Sequence, residues 1–125
     1  MYYLGKAHRH RFEKMVRENP HKWSDSYLAA LYLFCADRDL WSVANRIAQG
    51  QQINFASYKR SDLTVEQYAL VKVAQDIYTG STHINLQDLG DSFAVPERTF
   101  EVVLQALHIA RRGYSCIDIK KPFIS

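Results

Sequence analysis

Tyr27-Leu28-Ala29-Ala30-Leu31-Tyr32-Leu33-Phe34-Cys35 is a nine-residue run with no polar face. A helix that is apolar on every side has nothing to offer water and belongs in the middle of a core. Ser24 stands just before the run as a good N-cap, so the spacing predicts a helix from there to about Ala36. Even carried through Ala36, the run falls far short of the ~20 residues needed to cross a bilayer, and no longer apolar stretch occurs. The fold is therefore expected to be other helices laid around this one.

Those helices can be read outward from it. Before it, Leu4, Ala7, Phe12, Met15 and Val16 recur at helical spacing, predicting a helix over roughly 5–18. Asn19-Pro20 ends that helix, because the residue before a proline is driven out of the α region. After the central run, Asp37 or Asp39 can cap a third helix with Leu40, Val43, Ala44 and Ile47 on one stripe and Gly50 just past its end. Residues 51–62 are polar apart from Ile53, Phe55 and Tyr58, and read as a long connection or one short strand. Thr64-Val65-Glu66-Gln67 has capping-box form and opens a fourth helix through Tyr78, stopped by Gly80. Asn85 caps a short fifth helix, and Pro96 begins a sixth that runs to Arg112 and stops at Gly113. Short strands are admitted near 52–56 and 115–120, where Ile117 and Ile119 alternate. The expected fold class is all-α: a single small bundle of five to six helices over residues 1–125, with no internal repeat or low-complexity linker.

The chain of 125 residues is one domain's length, and 47% hydrophobic, 23% charged residues is an ordinary globular balance. Two cysteines, Cys35 and Cys116, make a poor disulfide framework. The N-terminus lacks a signal peptide's apolar stretch, so a reducing cytoplasm is the expected setting, without a membrane. Net charge is only +3, but it is uneven. Residues 1–22 carry +4, residues 84–110 carry −3, and the tail 111–125 carries +3. Such ends favour an anionic partner or one another.

The order of landmarks resembles an uncharacterised family of short helical proteins from Firmicutes, their phages and conjugative elements. Tyr3-Leu4, His8 and Arg11-Phe12 match its opening, and Ala30-Leu31-Tyr32 and Asp39-Leu40-Trp41 match its middle helices. Leu70, Ala74, Tyr78 and Gly80 match a later helix end, and Phe100, Leu104, Ala106, Ile109 and Arg111 its closing helix. The sequence departs from the pattern around 90–95 and after Gly113. The resemblance implies a single helical domain of mobile-element origin and carries no activity with it.

Motifs for chemistry are sparse. There is no Gly-x-x-x-x-Gly-Lys-Ser/Thr loop, no Gly-x-Gly-x-x-Gly, no His-Glu-x-x-His and no Cys-x-x-Cys. His8, His10 and Glu13 form the densest ligand-like cluster, yet on a helix His8 and His10 point about 160° apart, leaving two ligands where a metal needs three or four. His8 sits between Leu4 and Phe12 on the apolar stripe and reads as a satisfied, half-buried histidine. Cys116 lies between Arg111-Arg112 and Lys120-Lys121, cations that would lower a thiol pKa, but it has no base in sequence reach. No catalytic residue, cofactor or metal is expected.

Residues 85–107 have the spacing of a DNA-binding helix-turn-helix, which they resemble over ~20 residues. Leu89, Gly90, Phe93, Ala94, Val95, Phe100 and Val103 fall at its packing places, leaving Glu97, Arg98, Glu101, Val102 and Gln105 to face a groove. Two glutamates and one arginine are the wrong surface for a polyanion. Such a reader would lean on Arg98, Gln105, Arg111, Arg112, Lys120 and Lys121. The other surface candidates are aromatic-basic: His21-Lys22-Trp23 and Tyr58-Lys59-Arg60, residue types favoured at protein interfaces and able to stack on bases. The expectation is a non-enzymatic protein that binds a protein partner, a small regulator or inhibitor. The alternative is a helix-turn-helix DNA-binding regulator.

Overall fold

In a computed structural model the described residues are 1–19, 23–50, 52–58 and 62–117. Among them are six α-helices: α1 (Lys6–Glu18), α2 (Asp25–Cys35), α3 (Arg38–Ile47), α4 (Val65–Thr79), α5 (Leu86–Leu89) and α6 (Glu97–Arg112). A two-strand antiparallel ribbon, β1 (Ala48–Gln49) with β2 (Gln52–Ile53), follows α3, and short 3-10 turns span Phe55–Ser57 and Gly113–Cys116. No helix among the described residues is long and apolar enough to cross a membrane.

The apolar run is the axis of the molecule. Every residue from Tyr27 to Cys35 is buried, with α6 and α4 as the most extensive neighbours and α3, α1 and the Gly113–Cys116 turn on the remaining sides. The surrounding helices bury one stripe each: Phe12, Met15 and Val16 from α1, Leu40, Val43, Ala44 and Ile47 from α3, and Val102, Val103, Ala106 and Ile109 from α6. Burial of the Val, Leu, Ile, Phe and Met side chains among these is worth roughly 1.5–3 kcal/mol apiece before the entropy of ordering them is counted.

Local chemistry sets the helix ends. Ser24 Oγ accepts from the Tyr27 amide, and Asp37, rather than Asp39, caps α3 by accepting from the Leu40 amide at 3.0 Å. The Thr64–Gln67 capping box forms in both directions at 3.1 Å. Buried Gln67 then donates from Nε2 to both Asp37 oxygens at 3.2 Å, which ties the starts of α3 and α4 together.

Two readings change. Gly50 lies three residues past α3 and opens the β1–β2 turn with φ +64°, a value that a two-residue hairpin loop demands. The strand expected near 52–56 shrinks to β2, because Phe55–Ser57 coils into a 3-10 turn. Near 115–120, residues 113–116 likewise form a turn, and 118–120 lie outside the described residues. Gly113 ends α6 as expected, at φ +62°, and a Cβ there would overlap the Asp25 carboxylate at the start of α2.

Candidate functional site

His8 is 2% exposed, and both ring nitrogens are engaged. Nδ1 accepts from the Leu4 amide at 3.1 Å and Nε2 lies 3.0 Å from the Tyr32 carbonyl, so Nε2 carries the proton. Burial pushes its pKa down to about 4, with the Tyr32 carbonyl pulling the other way and Arg11 adding to the fall. The ring packs against Tyr3 and Tyr32, and the Tyr32 hydroxyl donates to the Tyr2 carbonyl. It is a structural clamp on the N-terminal segment. Glu13 is taken by Arg9 at 3.0 Å and Arg17 at 3.8 Å, and the described residues contain no group of three that could hold a metal.

One Ser-His-Asp constellation does assemble, after α4. Asp76 Oδ1 accepts from Ser81 Oγ at 2.7 Å, from His83 Nδ1 at 2.8 Å and from the His83 amide at 2.9 Å, while Oδ2 accepts from the Ile84 amide at 2.7 Å. Burial alone would raise the Asp76 carboxyl, but the His83 and Ile84 amides with the His83 and Ser81 side chains hold it below the usual range. Serine and aspartate both meet Nδ1, whereas a relay needs them on opposite nitrogens. The cluster fastens the loop.

The 85–107 pair departs from helix-turn-helix geometry. α5 is a single turn, and a Cβ on Gly90 would touch only its own turn's carbonyls at 3.6 and 3.7 Å, so no second helix crosses there. Phe93, expected inside, is 88% exposed, and Val102, expected to face a groove, is fully buried on α6's inner stripe. Arg98 donates from Nε to Glu66 at 3.0 Å, with Thr99 Oγ1 donating to the same oxygen at 3.1 Å. The Arg98 hydrogen bond holds Glu66 below the ordinary carboxylate range, against a smaller opposing push from burial. Gln105 accepts from the Tyr2 amide at 2.9 Å, and Arg111 and Arg112 are exposed at the far end of α6. Lys120 and Lys121 lie outside the described residues.

Of the aromatic-basic candidates, His21, Lys22, Lys59 and Arg60 also lie outside the described residues. Tyr58 is half-buried against the core. Trp23 is half-buried too, stacked on Tyr27 with centroids 5.4 Å apart, and its amide donates to the Tyr114 hydroxyl.

Two surface features escaped the sequence. The first is a mostly apolar depression of about 480 Å³ at the start of α4, where Val65, Tyr68 and Phe93 stand exposed beside Leu63, Ile84 and Ala94. Sequence reading missed it because Phe93 was assigned to a packing place. The second is a groove of about 500 Å³ between α1 and α3, floored by α2, to which Trp23 contributes. It draws on three helices, and no local pattern signals it. Comparison with family models, curated proteins and solved structures finds no match to this chain.

Proposed function

We propose that this is a non-enzymatic binding protein whose partner is another protein, docked on the Val65–Tyr68–Phe93 surface. The observation that carries the reading is the exposure of Phe93 at 88%, with Tyr68 and Val65 at about half, around one depression. Water is a poor neighbour for three such side chains, and exposed apolar clusters of this kind mark interaction surfaces. Asp88 and His83 border the same depression and supply a polar rim. A regulator or inhibitor carried on a mobile element and acting in the cytoplasm is the form we propose, supported by the resemblance in landmark order and by a two-cysteine sequence that makes a poor disulfide framework. The helix-turn-helix alternative has less support, since Arg98 is committed to Glu66 and Glu97 stands exposed beside it.

The test is affinity capture from nuclease-treated host lysate with the wild-type protein and Phe93→Ser. Phe93 is too exposed for the change to alter the melting temperature appreciably. A protein retained by the wild type and lost by the variant supports the reading. Recovery only from a parallel lysate without nuclease, with duplex affinity falling steeply as salt rises, would replace it with the alternative.

A further inference from the structure

The groove between α1 and α3 has a chemistry the docking surface lacks. We propose that it binds a nucleoside phosphate, with the base among the aromatic side chains and the phosphate at Arg11. Its volume of about 500 Å³ is in the range of small-ligand sites. Both tryptophans of the protein, Trp23 and Trp41, line it, with the Trp23–Tyr27 stack at one end. Aromatic side chains hold any base, because every base has a π-face.

The α1 wall supplies the anion site. That helix sorts its charges. Arg9 and Arg17 share Glu13, whereas His10 and Arg11 line the groove without an acidic partner among the described residues. Arg11 is held in place by its Nε, which donates to the Cys35 carbonyl at 2.8 Å, and its terminal nitrogens have no further partner among the described residues. An anchored guanidinium with unused donors is the arrangement that recognises phosphate. Lys14 follows one turn on and, among the described residues, is bound only to Glu18 at 3.5 Å, with both side chains more than half exposed, so an incoming phosphate can draw it away. Glu18 also lines the groove, about 10 Å from Arg11 along the helix by the 1.5 Å rise per residue, and it repels an anion from that end. The groove is therefore polar lengthwise, with phosphate placed at Arg11 and base toward Trp23.

Because both tryptophans line the groove, intrinsic fluorescence reads its occupancy. Adenosine monophosphate should give a saturable change, and adenosine and inorganic phosphate should each bind at least about tenfold more weakly, since each offers half of the recognition. Arg11→Gln should weaken the nucleotide about tenfold or more. Exposed Lys14→Gln, which leaves the Cys35 contact intact, should weaken it less and serves as the readout if Arg11→Gln fails to fold. A short oligoadenylate separates the two sources of the ligand: tighter binding than the mononucleotide assigns the groove to a single strand, and equal or weaker binding to a free nucleotide. No saturable change with either, equal affinity in both variants, or equal response to an acidic peptide without aromatic residues would overturn the proposal.

Discussion

His8 shows how one side chain converts pH into stability. Its Nδ1 faces the Leu4 amide, itself a donor, so a protonated ring would set two donors against each other. With the folded pKa at about 4 and the unfolded value at 6.5, the unfolded chain binds the proton more readily between them. The contribution of His8 is complete above about pH 6.5 and is lost as pH falls toward about 4, on the order of 3 kcal/mol in all. Urea midpoints measured across that window should fall for the wild type and stay flatter in His8→Gln, which keeps a donor for the Tyr32 carbonyl. An equal fall in the variant would place the titrating group elsewhere. That His8 packs against the core was legible from its place on the apolar stripe, but it is buried completely where half-burial was expected. Its partners were not legible, because Tyr32 lies 24 residues away and only the packing of α1 on α2 brings it near. Arg98 teaches the same lesson, since Glu66 is 32 residues distant.

Among the elements, the caps were the most legible, because a cap is a bond over three residues and needs no tertiary information. Ser24, Thr64 with Gln67, and Asn85 all bond as their spacing implies. Val102 was misread because a borrowed helix-turn-helix register was laid over α6. The helix's own stripe of Thr99, Val102, Val103, Ala106 and Ile109 places it inside. Along α2, truncations should differ by position. Leu33 is fully buried, so Leu33→Ala should cost roughly 2–5 kcal/mol through lost burial and a sealed void. Leu31, also buried, borders the α1–α3 groove, where the space left can merge with the opening, so Leu31→Ala should fall at the lower end of that range. Chemical denaturation of both variants checks the order. A Leu31 cost above that of Leu33 would mean the groove is closed at that point.

Across the whole molecule, α2 makes contacts with α1, α3, α4 and α6, so no outer helix has a core of its own. Unfolding should be a single transition, with far-ultraviolet dichroism, which sees every helix, and tryptophan fluorescence, which sees the groove, giving superimposable curves. Separated midpoints would divide the chain into two cooperative units. The bundle was legible at this scale because a helix without a polar face permits few arrangements, whereas the groove and the Phe93 depression depend on how the outer helices are spaced. The central placement of α2 also bears on synthesis. A ribosome delivers Asp25–Cys35 more than sixty residues before Glu97–Arg112, one of its two largest partners, is made. For that interval the most apolar segment of the nascent chain lacks its cover, and it is there that a chaperone would find its client.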